Sequence, residues 1–246
     1  MKELISYDDL IWGDKFKVCH TNDTNFYKID ELYDRQDIPK VRKVISHNGD
    51  YQANEKIWNK IKNKADYWYA TNLIVNDERC FPIPIGLEND YVPGSVEKKR
   101  ILFECMSIDR EPMKLFYVNH NIGTNPNERN RPYHVLKSDD DMTVDHNGLT
   151  TKQYYDNILK HQVILSPPGN GMDCHRTWEI LYLNRIPLVK NIYQKFLFEN
   201  LPVIFYDNYE QINADFLRSN IEKLSNTKFN FDKLKMRWWI NEITSK

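Results

Sequence analysis

Short apolar runs alternate with amphipathic stretches along most of the chain. KVRKVISHN (40–48) reads as a strand with a polar end. Residues 54–64 follow as a charged helix whose apolar side is Ile57, Trp58 and Ile61. ADYWYATN (65–72) predicts a second strand, again polar at its end. CFPIPIGLEN (80–89) carries Pro82 and Pro84, which places it as an extended segment at a sheet edge. Residues 90–100, with Pro93-Gly94-Ser95, predict a linker.

The pattern then restarts. A strand is expected at 114–121 and a helix near 127–137. Residues 138–148 are acidic and predict a surface loop, and a helix is expected over 151–161 with Thr150 or Thr151 as N-cap. An apolar run at 163–165, a helix at 173–184 and strands at 186–190 and 201–207 come next. Helices at 212–226 and 231–243 complete the chain. Strands alternating with helices imply parallel sheets covered by helices. The restart divides the chain into lobes at 1–95 and 96–228, with 229–246 as a helix packing on them. In such sheets ligands bind beyond the carboxyl ends of the strands. The polar endings 46–48, 70–72 and 119–121 all lie there.

Composition narrows the function. Aromatic residues make up 13% of the chain, too many for a largely disordered protein. With 34 basic and 35 acidic side chains the net charge is -1, without the basic excess of a nucleic-acid binder. No stretch approaches the length of a membrane span. Cys19, Cys80, Cys105 and Cys174 contain no CxxC pair, so neither a structural zinc site nor a disulfide framework is expected. The acidic, interrupted N-terminus does not read as a signal peptide. A cytoplasmic protein follows from these readings.

The chemistry concentrates in SPPGNGMDCHRTWEILYLNRIPLVK, Ser166 to Lys190. Pro167 and Pro168 stiffen the exit from a strand, and Gly169, Asn170 and Gly171 form a loop in which glycine permits close backbone approach. Asp173 stands where an N-cap belongs, and the helix start presents unpaired N–H groups suited to phosphate. Arg176 and Glu179, three apart, share one helix face. The arginine suits a phosphate and the glutamate suits sugar hydroxyls. The plainer alternative is a strand-turn-helix with a salt-bridged surface pair.

Other positions offer weaker signals. His47 and Asp50 follow a strand and are candidate general bases, Asp50 preferred, although HNGD is also good turn chemistry. Asn119, Asn121, Thr124, Asn125 and Arg129 surround a second strand-loop-helix, where Arg129 would neutralise a diphosphate. Asp139 and Asp141 have the spacing of a divalent-metal motif inside a loop that reads more simply as solvated. Cys174 and His175 are adjacent on a helix, about 100° apart, and do not form a catalytic pair unaided.

The stretch 166–189 resembles the C-terminal motif of exostosin-like glycosyltransferases: a glycine loop, an Arg-x-x-Glu helix and an apolar Ile-Pro strand. ISHNGDY (45–51), YATN (69–72), IPIGLEN (83–89) and FYVNHNIGTNPNER (116–129) are similar to segments of small viral and bacterial members, so the resemblance spans roughly 44–190. It implies an α/β, GT-B-like fold: two Rossmann-like lobes with a cleft between them. It also implies an inverting, metal-independent transferase needing no cofactor beyond its co-substrate. The donor is expected to be a nucleotide-diphosphate sugar, with UDP-xylose and UDP-glucose as candidates, held by the C-terminal lobe. The acceptor is a hydroxyl of a glycan or glycoprotein, facing the N-terminal lobe. A viral origin would place the protein in the host cytoplasm. Two other readings remain at this stage: a metal-dependent transferase using Asp139 and Asp141, and a non-catalytic nucleotide- or glycan-binding protein.

Overall fold

Two separate parallel sheets, of four and five strands, organise the chain. The computed structural model describes residues 5–146, 148–191 and 195–246. The first four residues of the acidic N-terminal stretch and Asn147 of the acidic segment lie outside the described residues.

The first sheet contains β1 (Thr24–Lys28), β2 (Val41–His47), β3 (Ala65–Ala70) and β4 (Cys80–Pro82), in spatial order β1-β2-β3-β4. Helices α1 (Ile29–Asp34) and α2 (Glu55–Ile61) connect its strands. The Asn54 side chain caps α2 by accepting from the amides of Lys56 and Ile57, and Ile57, Trp58 and Ile61 are buried as the pattern requires. The prolines leave β4 at the edge, where a missing N–H costs no ladder bond.

The expected linker is instead ordered. Helix α3 (Ser95–Met106) begins inside it, with Gly94 at its N-cap at φ +80°, a left-handed angle that glycine adopts freely. Lys99 is buried in this helix and its Nζ reaches the Glu88 carbonyl and the Asp90 carboxylate. The aliphatic stem of Lys99 and its two oxygen partners tie down what a Pro-Gly-Ser sequence suggested was loose.

The second sheet is formed by β5 (Lys114–Val118), β6 (Met142–Val144), β7 (His161–Ser166), β8 (Ile186–Lys190) and β9 (Ile204–Tyr206). The expected helix at 127–137 is broken into α4 (Pro126–Arg129) and α5 (Arg131–Val135), each with a proline in its first turn. The acidic segment is not all loop. Met142, Thr143 and Val144 pair in parallel with Phe116, Tyr117 and Val118, with Met142 buried. Helix α6 (Thr151–Lys160) starts with a complete capping box between Thr150 and Gln153. Helices α7 (His175–Tyr182), α8 (Ala214–Ser225) and α9 (Met236–Thr244) follow, and α9 returns to pack on residues 13–19 of the first lobe.

One apolar cluster runs through both lobes, joining Ile45, Tyr69 and Ile83 to Tyr117, Ile164 and Trp178. The second sheet has the order β6-β5-β7-β8-β9. Strand order therefore reverses between β5 and β7, and a crevice opens beyond the carboxyl ends of those two strands.

Candidate functional site

A cavity of about 930 Å³ occupies that crevice. Residues after β5, after β6 and after β7 form its wall in the second lobe, and Asp50, Ile85, Glu88 and Lys98 face it from the first lobe and α3. The sequence-predicted residues Asp50, Asn119, Arg129, Gly169, Asn170, Gly171, Asp173, Arg176 and Glu179 all line it. His47 and Pro168 do not.

His47 is a correction. It is buried at the end of β2 with its Nε2 2.8 Å from the Pro84 carbonyl and its Nδ1 accepting from the Asn48 amide, and its ring stacks on Phe16. Both nitrogens are committed, and burial pushes its pKa down to about 4. Its role is packing. Pro168 contributes its carbonyl to Arg129 rather than a surface to the cavity.

The glycine loop is clasped by the opposite lobe. Asn72, at φ +52°, offers Oδ1 to the amides of Met172 and Asp173, each at 3.0 Å. A Cβ on Gly171 would stand 2.7 Å from Asn72 Nδ2, so only glycine permits this approach. The Gly169 amide is taken by the Gly171 carbonyl and by Cys174 Sγ. Several amides expected to bind phosphate are thus already engaged in holding the loop.

Asp173 does not cap the helix. Cys174 occupies the N-cap, and no side chain caps α7 among the described residues. The Asp173 carboxylate is buried and accepts from the Ile85 amide and from the Trp178 indole N–H. Burial is the larger influence and pushes its pKa up to about 7, against the pull of these donors.

The two predicted arginines have different roles. Arg129 is buried, and its guanidinium donates to the carbonyls of Pro168, Asn121 and Pro167, bracing the loop from behind. Arg176 donates to the Asn119 carbonyl and to the Tyr154 hydroxyl at 2.7 Å. Its Nε is buried without a bonding partner among the described residues. His120 Nδ1, on the same wall, is likewise unpartnered while its Nε2 meets the Arg129 carbonyl at 2.7 Å.

Glu179 is almost wholly buried and does not pair with Arg176. Its Oε1 meets Lys98 Nζ at 2.7 Å, and Glu88 lies 3.8 Å from the same ammonium. Burial opposes the charge on Lys98, but Glu179 and Glu88 outweigh it and hold the pKa above the ordinary lysine value. Sequence reasoning missed Lys98 because its helix was read as a linker.

Comparison with protein-family models gives no match, and comparison with curated proteins gives none. The site therefore stands on its chemistry: a polar crevice with cations and a buried carboxylate at a strand-order reversal.

Asp139 and Asp141 lie elsewhere. They precede β6, at the amino end of the sheet, opposite the cavity. Asp139 Oδ1 accepts from the amides of Asp141 and Met142, and Asp141 pairs with Arg218 at 2.6 Å. These contacts fix a turn and an exposed ion pair, away from the cavity.

Proposed function

We propose that this chain is a glycosyltransferase of the exostosin-like, GT-B type. It moves a sugar from a nucleotide-diphosphate donor, with UDP-xylose or UDP-glucose as the candidates, to a hydroxyl of a glycan or glycoprotein. The observation that carries this reading is the placement of Arg176 and Glu179 on one wall of the cavity at the β5/β7 strand-order reversal. That is the position where open parallel sheets hold nucleotides. The Arg176 guanidinium meets the diphosphate, whose charge grows as it leaves, and donors fixed there lower the barrier. Glu179 accepts hydroxyls of the ribose with the oxygen not held by Lys98. Lys98 adds a further cation, which favours transfer without a divalent metal, and inversion comes with the exostosin-like reading.

The test is calorimetric titration with UDP, followed by UDP release from UDP-glucose and UDP-xylose, each with and without EDTA. Binding and metal-independent release are expected. Binding without release from either donor, with acceptor glycans present, favours the nucleotide-binding reading. Release abolished by EDTA and restored by a divalent ion overturns the metal-independent one.

A further inference from the structure

We propose that His175 is the catalytic base of this reaction, an inference that rests on the transferase reading above. His175 is the first residue of α7 and lines the cavity beside Arg176. Its Nδ1 lies 2.7 Å from the Gly86 carbonyl oxygen. A carbonyl only accepts, so Nδ1 carries the proton and Nε2 of the neutral ring carries a lone pair. Among the described residues Nε2 has no bonding partner, and it is not among the sealed, unpartnered atoms of the interior. His175 belongs to the cavity wall, and Nε2 is the nitrogen its anchor leaves uncommitted.

The anchor is rigid. Gly86 sits at φ +64°, where a Cβ would lie 2.4 Å from the Ile11 carbonyl, and the next amide, Leu87, donates to that same oxygen at 2.6 Å. The ring is thus oriented by the first lobe while it stands on a helix of the second. This is the boundary at which an acceptor held by one lobe meets a donor held by the other. Glu179 lies four residues on, one turn along the same helix face. Charged and titratable groups face the ring from every side: Glu88 from the first lobe, Glu179 on α7, Lys98 on α3, and His47 behind it. Burial keeps the ring neutral, as a base requires, and the two carboxylates stabilise the imidazolium once it forms.

The step balances without a co-reactant. The acceptor hydroxyl gives its proton to His175 Nε2, and its oxygen lone pair forms the bond to the anomeric carbon. The bond from that carbon to the donor phosphate oxygen breaks, and its electron pair leaves with the nucleoside diphosphate. The imidazolium then releases its proton to water. The rival bases are less well placed. His47 has both nitrogens committed, and Asp50 is exposed at the cavity mouth, bonded to Asn170 Nδ2 at 3.1 Å.

His175→Asn keeps an N–H for the Gly86 carbonyl and removes the base, and His175→Gln serves as a second variant. UDP release from UDP-glucose and UDP-xylose is followed from pH 5 to 9 with water and with glycans as acceptors, alongside UDP titration by calorimetry. General-base loss predicts a ~10²–10⁴-fold fall in turnover. Loss of the lower-pH inflection and UDP affinity within about twofold of wild type should accompany it, because the base touches the acceptor. Turnover retained within about fivefold, with the inflection intact, overturns the base while leaving the transferase reading standing. No UDP binding and no release by the wild-type protein overturns both. Nitrogen-15 spectra of the imidazole decide independently of activity: protonated Nδ1 and bare Nε2 are expected, and the opposite tautomer overturns the assignment.

Discussion

The Asp173 carboxylate accepts a 2.7 Å hydrogen bond from the backbone amide of Ile85, an acid of one lobe closing on the main chain of the other. The same carboxylate takes the Trp178 indole N–H. Two donors, the buried indole N–H and the part-buried amide, therefore depend on one side chain. Asp173→Ala leaves both unsatisfied, at about 1–3 kcal/mol each. A loss of about 2–4 kcal/mol in urea unfolding is expected, together with faster hydrogen exchange at the Ile85 amide. Unchanged exchange there would show that the Asp173 carboxylate does not hold this junction, leaving it to the Asn72 clasp and the shared apolar cluster.

Acid should destabilise the fold. Burial pushes His47 down to about 4 and His120 down to about 3, and lowers His161 and His175 as well. These groups are neutral when folded and become charged on unfolding below about 6.5. The stability they confer is fully present above that pH and is lost as pH falls toward the folded values. Asp173 acts oppositely: its raised pKa makes the folded state hold an extra proton between about 4 and 7, so its contribution fades as pH rises. His47 and His120 alone outnumber it, so near pH 5 unfolding takes up about one net proton, and near pH 7 the two effects cancel. Each such proton is worth about 1.4 kcal/mol per pH unit. Urea unfolding at pH 7.5, 6 and 5 should show most of the decline between 6 and 5, and no fall between those two values would show that the carboxyl dominates.

Much of the scaffold was legible because local signals and burial agreed. Strand β8 matches the apolar run 186–190, and Asn54 and Thr150 cap the helices they precede. Strand β1 was missed because TNFYK is polar and only partly buried, and β6 because three acids precede its three ladder residues. The glycine loop and the Arg-x-x-Glu pair line one wall of the cavity, as their spacing allows. What spacing cannot show is which hydrogen bonds are already spent. Met172 and Asp173 give their amides to Asn72, a residue one hundred positions away. His175 was dismissed as a partner for Cys174, yet its position four before Glu179 on the same face was a readable signal.

Arg129 and Arg176 should separate cleanly. Arg129→Ala strands three loop carbonyls and removes a buried side chain, so it should lower thermal stability by several degrees and weaken UDP binding through the disordered loop. Arg176→Ala loses bonds to Asn119 and Tyr154 but leaves the loop braced. Its main effect should be a fall in turnover at saturating donor, since its charge serves the leaving diphosphate most in the transition state. Differential scanning calorimetry beside steady-state kinetics tells the two apart. A similar stability loss in both variants would mean Arg176 is also a brace.

The Lys98–Glu179 pair should respond asymmetrically to the loss of either partner. The Glu179 side chain is 4% exposed and the Lys98 side chain 31%. Lys98→Met abandons a buried carboxylate, and stranding a buried charge costs about 3–5 kcal/mol. Glu179→Gln leaves an ammonium that can turn to Glu88 and to water, so about 1 kcal/mol is expected. The double variant should recover most of the Lys98→Met loss, because neither charge then remains to be solvated. UDP binding follows a different order. A hydrogen bond to a charged group contributes roughly 1.5–3 kcal/mol, so Glu179→Ala should weaken UDP about ten- to hundredfold if the carboxylate holds the ribose. Urea unfolding of all three pair variants, with calorimetric titration of Glu179→Ala, measures both orders. Unchanged UDP affinity in the folded Glu179→Ala protein would reduce the glutamate to a counter-ion for Lys98 and remove the ribose contact from the proposed donor site.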